Sequence, residues 1–229
     1  MNVYVWKWEA GGTDYVELKG DGFRMGREIA FSSDGRYLAC RSADGNVCIC
    51  NVANRTSRVF HSGLRSHILG SIAFSPDNRH IALSVSDRGS IWDIAAQPIT
   101  CVLEERTEQA DRMVVFSPDG HFVASVNDRS VHLWKVSMWT KDFTFEHPDG
   151  VGAIAFSPQG HQLASCLRNG TITIWDFVTR VASSVFEAKG KQQRSFPLEF
   201  LLRVAQWQSE SVALEVRRHK HETLGGALT

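Results

Sequence analysis

The sequence predicts an all-β protein built from four copies of one four-stranded unit. Two markers that return with the same period carry this, together with the lack of helical spacing between them. The first marker is an apolar run, a turn and a second apolar run: "IAFSSDGRYLAC" (29–40), "IAFSPDNRHIAL" (72–83), "VVFSPDGHFVAS" (114–125) and "IAFSPQGHQLAS" (154–165). Its phenylalanines, Phe31, Phe74, Phe116 and Phe156, step by 43, 42 and 40 residues. The second is a strand-like run ending at Cys50, Trp92, Trp134 and Trp175, with steps of 42, 42 and 41.

The elements follow in order. "NVYVWKW" (2–8) alternates apolar and polar positions and reads as a half-buried strand, and "TDYVELKG" (13–20) follows it. Within each repeat the Ser-Pro-Asp-Gly type of turn joins strand a to strand b. Pro presets φ, Asp accepts backbone N–H bonds and Gly takes positive φ. A second turn, at Asp44-Gly45, Asp128-Arg129 or Asn169-Gly170, leads into strand c. Strand d is "TSRVFH" (56–61), "PITCVLE" (98–104), "KDFTFE" (141–146) and "VASSVFE" (181–187). One such meander cannot bury both faces alone, so the repeats should stack through their Phe, Leu and Trp anchors.

Through "FSPDG…VAS…LWK", "FSPDN…IAL…IWD" and "FSPQG…LAS…IWD" the chain resembles the WD-repeat β-propeller family over about residues 2–187. One variant of the resemblance is the propeller part of fungal-type NTPase-linked WD-repeat proteins, although no nucleotide-binding segment is present. The resemblance implies a structural hydrogen-bonded set of a His, a Ser/Thr, a turn Asp and the Trp. The fourth repeat comes nearest, with His147, Ser165, Asn169 and Trp175; the third keeps Asp128 and Trp134, and the first has Cys50 in place of Trp. Aligned this way, Trp6 takes the position of Trp175. The chain then opens with strands c and d of a half-blade (1–20), followed by blades at about 21–62, 63–105, 106–147 and 148–187.

Residues 188–229 break the pattern, and two readings stay open. "LLRVAQWQSESVALEV" (201–216) aligns as a degenerate a–b hairpin that would complete the first blade and close a five-bladed ring. Residues 195–221 also read as a helix capped by Ser195 and started by Pro197. A third expectation is that the chain is part of a larger propeller.

Function follows from what is present. Lys+Arg and Asp+Glu are both 25, so no net field draws the chain to nucleic acid or an acidic membrane. The five scattered cysteines read as free thiols in a reducing, cytoplasmic or nuclear, compartment. No nucleophile elbow, phosphate loop, zinc motif or calcium loop occurs, and no cofactor or metal is expected. The resemblance implies a non-catalytic scaffold or sensor that binds a peptide or protein through its loop faces, as a monomer or an assembly completed by another chain. Candidate binding residues are the arginines of the b–c turns, Arg41, Arg88, Arg129 and Arg168, which would ring the channel mouth and hold anions by forked bonds. Neighbouring aspartates at 44, 87 and 128 could pair with them instead. Trp139, read with Met138 as part of a d–a loop, is either an exposed anchor or a blade cap. The alternatives are a propeller enzyme with a site at the channel mouth, or a truncated relic.

Overall fold

The computed structural model describes residues 2–6, 15–19, 29–41, 46–61, 70–85, 88–106, 111–177 and 179–187; the tail beyond residue 187, with both readings of it, lies outside them. Among the described residues every regular element is a strand. The first pair, β1 (Asn2–Trp6) and β2 (Tyr15–Lys19), forms an antiparallel hairpin with Trp6 opposite Tyr15. Four antiparallel meanders follow. Blade 1 is β3 (Ile29–Phe31), β4 (Tyr37–Arg41), β5 (Asn46–Asn51) and β6 (Ser57–His61). Blade 2 is β7 (Ile72–Phe74), β8 (His80–Val85), β9 (Arg88–Asp93) and β10 (Thr100–Arg106). Blade 3 is β11 (Asp111–Phe116), β12 (Phe122–Asn127), β13 (Ser130–Lys135) and β14 (Thr140–Glu146). Blade 4 is β15 (Val151–Phe156), β16 (Gln162–Leu167), β17 (Thr171–Asp176) and β18 (Val181–Glu187).

The a–b turns explain why the repeat keeps its letters. A buried serine opens each: Ser32, Ser75, Ser117 and Ser157. Its carbonyl accepts the N–H of Gly35, Asn78, Gly120 or Gly160, all at positive φ. Its hydroxyl donates to Asp34, Asp77 or Asp119 two residues on, and accepts the N–H of the first strand b residue. Gln159 stands in the Asp position of blade 4, where the hydroxyl still accepts the Gln162 N–H at 3.1 Å. The turns of adjacent blades also nest. Ser33 donates through N and Oγ to Asn78 Oδ1, and a Cβ on Gly160 would come within 2.7 Å of Asp119.

Register places equivalent residues in rows across each sheet. The outer row reads Phe31–Leu38–Cys50, Phe74–Ile81–Trp92, Phe116–Val123–Trp134 and Phe156–Leu163–Trp175. The inner row reads Ile29–Cys40–Cys48, Ile72–Leu83–Ser90, Val114–Ser125–His132 and Ile154–Ser165–Thr173. This face packs on the preceding blade. Phe74 joins Ala39, Val47 and Ile49 of blade 1, Phe116 joins Ala82 and Ile91 of blade 2, and Phe156 joins Ala124, Leu133 and Phe145 of blade 3. Large residues on one face thus meet small and branched residues on the next, which is how stacked repeats bury a continuous core. Phe31 departs from the expected role of a buried anchor: it is 50% exposed, where Phe156 is 2%. Its row belongs to the first complete blade, whose corresponding face looks toward the N-terminal side of the stack.

Candidate functional site

The hydrogen-bonded set expected in blade 4 forms, with one change of membership. His147 leaves the end of β14 and is buried. Its Nδ1 faces the Phe145 carbonyl at 3.1 Å, which can only accept, so that nitrogen carries the proton. Nε2 is then the acceptor, 2.7 Å from Ser165 Oγ and 3.2 Å from the Trp175 Nε1–H. The indole N–H also lies 3.2 Å from Ser165 Oγ. Burial holds the imidazole pKa below its ordinary value, in keeping with a neutral ring. Asn169 stands apart from this set: its Oδ1 accepts the Thr171 N–H at 2.9 Å and so serves its own b–c turn. An amide two residues ahead of a strand's N–H makes that local bond more readily than a long reach to the histidine.

In an up-and-down meander the a–b and c–d turns share one end of the blade, and the b–c turns and d–a links share the other. Of the four b–c arginines, Arg129 and Arg168 are exposed, and the side chains of Arg41 and Arg88 lie outside the described residues. Arg168 Nη2 approaches Asp128 Oδ1 at 3.5 Å, so the b–c turns of blades 3 and 4 are joined by a surface ion pair. The Trp6 side chain is likewise outside the described residues. Trp139 lies elsewhere than expected: residues 136–139 form the c–d turn between β13 and β14, not a d–a loop. Trp139 is half-buried, packs edge-on to His80 at 5.0 Å and joins the cluster between blades 2 and 3. It is a blade cap, and the exposed apolar residue of that turn is Met138.

At the a–b/c–d end lies a groove between blades 1 and 2. A cavity of about 430 Å³ is lined by Tyr37, Asn51, Asn54, Arg58, Asn78 and Gln97 among others. A second, of about 570 Å³, shares Arg58 and Gln97 and continues over Val59, Phe60, Pro98 and Ile99. Arg58 lies in β6, and its Nη2 donates to the Ile94 carbonyl across the groove floor. Asn51 Oδ1 accepts the N–H groups of Ala53 and Asn54, Asn54 Oδ1 accepts from Thr56, and Asn78 Oδ1 accepts from Ser33. With each amide oxygen held by a turn, the Nδ2 groups are the polar atoms these side chains offer a ligand. Together with Arg58, the groove presents donors above a half-apolar floor. The signal for it in the sequence is small: Asn78 stands where the other three repeats have glycine, and Arg58 lies near the start of an outer strand.

Comparison with known proteins agrees with this architecture. The WD domain, G-beta repeat family matches residues 27–51, 106–135 and 139–176. A WD repeat-containing protein 26 homolog of Arabidopsis thaliana is 26% identical over 73% of this chain and 29% of its own length. Periodic tryptophan protein 2 of the same plant is 33% identical over 38% of this chain and 10% of its own. A chain in a crystal structure of the mitotic checkpoint complex superposes with a TM-score of 0.68 at 19% identity, covering 82% of this chain and 59% of that one. The protein thus spans less than a third of those two curated relatives. WD-repeat proteins generally mediate protein–protein interactions and are generally non-catalytic scaffolds. The recurring turns, the four stacked sheets and these matches show that the chain carries WD40 repeats and is similar in fold to the WD-repeat β-propellers.

Proposed function

We propose that the protein is a non-catalytic interaction module that takes an extended segment of a partner protein in the groove between blades 1 and 2. The observation that supports the reading is the donor-rich wall formed by Arg58 and the Asn51, Asn54 and Asn78 amides beside the apolar strip from Val59 to Ile99. An extended peptide offers main-chain carbonyls at regular intervals, and an acidic side chain on it would meet Arg58 in a charge-assisted bond. The mouth of the channel is the weaker candidate, because Arg168 is already paired with Asp128. The test is an array of acidic, neutral and basic extended peptides probed with the purified chain. Wild-type protein should retain acidic peptides, and Arg58→Glu should lose them while Arg168→Ala keeps them. Binding that is indifferent to Arg58, or that follows Arg168, would remove the groove as the site.

A further inference from the structure

Blade 1 carries three thiols where blade 4 carries its hydrogen-bonded set. Cys40 takes the row position of Ser165, Cys48 that of Thr173 and Cys50 that of Trp175. We propose that Cys40, Cys48 and Cys50 form a peroxide-oxidisable thiol site whose product is a Cys40–Cys48 disulfide across β4 and β5. All three are free and buried, at 5%, 2% and 2% exposure. The Sγ atoms of Cys48 and Cys50 are 3.5 Å apart, and Cys48 stands directly opposite Cys40 in the ladder.

Cys48 is the centre of the cluster. Hydrogen bonds from the Cys40 thiol, then from Cys50 and Ser57, hold its pKa far below the usual thiol range. The same contacts, with burial, push Cys40 and Cys50 up. The thiolate is the form that reacts, so Cys48 is the nucleophile of the three. A small oxidant would reach the buried thiols past strand a, the exposed edge that covers them. Ile29, the ladder partner of Cys40, is 59% exposed, and Phe31 on the same face is half exposed.

Geometry selects the partner. Directly opposed residues of an antiparallel ladder have Cα atoms about 4.5–5.5 Å apart, inside the span a disulfide bridges. Residues i and i+2 of one strand are about 6.8 Å apart with parallel Cβ vectors, at the far limit of that span. Cys40 therefore closes on Cys48 more readily than Cys50 does. In the first step the Cys48 thiolate attacks one oxygen of hydrogen peroxide. The O–O bond breaks, hydroxide leaves, and Cys48 becomes a sulfenic acid. In the second step the Cys40 sulfur attacks the Cys48 sulfur. The S–O bond breaks, and water leaves with the proton Cys40 gives up. Two thiols lose two electrons in all, and one peroxide becomes two waters once the hydroxide takes up the proton that Cys48 gave up on forming its thiolate.

Trypsin reads the outcome directly, because it cuts after Arg36, Arg41 and Arg55. Cys40 falls in peptide 37–41, and Cys48 and Cys50 fall together in peptide 42–55. The folded chain is treated with hydrogen peroxide, quenched, alkylated in denaturant and digested without reductant. The expected product is peptide 37–41 joined to 42–55, released by dithiothreitol, and formed before Cys101 is modified. Cys101 is the internal control: it is exposed, but its thiol is pushed up by desolvation and donates to the Leu103 carbonyl. Peptide 42–55 unlinked and two hydrogens lighter would overturn the assignment in favour of Cys48–Cys50. Full alkylation of both peptides, or earlier oxidation of Cys101, would overturn the site. Cys50→Ser should keep the link and Cys48→Ser should abolish it. If Cys48→Ser does not fold, the wild-type peptide map alone decides.

Discussion

Blades 1 and 4 share one fold and differ in what fills the same six places. In blade 4 the two rows hold Ile154, Phe156, Leu163, Ser165, Thr173 and Trp175, with His147 closing the set, against the apolar face of blade 3. In blade 1 they hold Ile29, Phe31, Leu38 and three cysteines. The blades between grade from one to the other. Blade 3 keeps Trp134 and Ser125, but the Ser125 hydroxyl is buried with no hydrogen-bond partner. Blade 2 keeps Trp92, whose indole donates to Ser90 at 2.9 Å, and has Leu83 in the serine place. The meander therefore tolerates loss of the polar set, so the strand ladders and the apolar rows are what define it. A buried polar network stabilises only when each member is satisfied, and sulfur or leucine in its place avoids leaving one orphaned.

The largest effect expected from this comparison is at the anchors. Phe156→Ala should cost about 3–5 kcal/mol, the range for emptying a closed aromatic site. Phe31→Ala should cost about 1–2 kcal/mol, because half of the ring already faces solvent. Urea unfolding of both variants measures the difference. Equal losses would show that Phe31 is covered in solution as fully as Phe156.

The contrast between these two phenylalanines was hidden in the sequence, although the fold was not. Two markers with one period, and Ser-x-Asp-Gly turns whose letters each satisfy a backbone group, made the four sheets legible. His147, Ser165 and Trp175 were legible as a set only through the family resemblance, because no other repeat has a histidine in the place of His147. Asn169 was misread because a local amide-to-backbone bond is invisible to an alignment of repeats. Trp139 was assigned to the wrong end of the blade because the turn between strands c and d was counted as a loop after strand d. The groove was not legible: it is made by residues of two blades more than forty positions apart, and only register brings Asn54 and Gln97 to one cleft.

A smaller loss is expected at His147. His147→Ala leaves the Ser165 hydroxyl and the Trp175 indole without their ring partner, a cost of about 1–3 kcal/mol for buried polar groups. The same residue gives the protein a pH signature. Its folded pKa lies below its ordinary value because burial disfavours the imidazolium, and His80 is lowered for the same first reason. The unfolded chain then binds more protons in the window from the lowered folded pKa up to about 6.5. Stability should be complete above that window and fall as pH drops through it. His147→Gln should flatten part of the slope between pH 7 and 5. An unchanged slope would mean that His147 keeps an ordinary pKa and that its set is not closed to water.

The smallest effect belongs to the ion pair between b–c turns, at the same end of the blade as His147. Arg168 and Asp128 join two b–c turns at 3.5 Å, with about half of the Arg168 side chain exposed. Such a pair is worth about 0.2–1 kcal/mol and weakens with salt. Its coupling is best measured in a double-mutant cycle of Arg168→Ala with Asp128→Asn. Asparagine is the proper replacement because Asp128 sits at φ 42°, where alanine would add strain unrelated to the charge. Arg168 also overhangs Gly150, whose absent Cβ would lie 2.9 Å from the guanidinium carbon, so Arg168→Ala removes packing as well as charge. The cycle separates the two, because packing on Gly150 cancels while the ion pair does not. A coupling under 1 kcal/mol that falls further in salt would confirm a solvated turn contact. A larger, salt-resistant coupling would show a built anion-holding position at the channel mouth, and would restore the b–c arginines as the binding face in place of the groove.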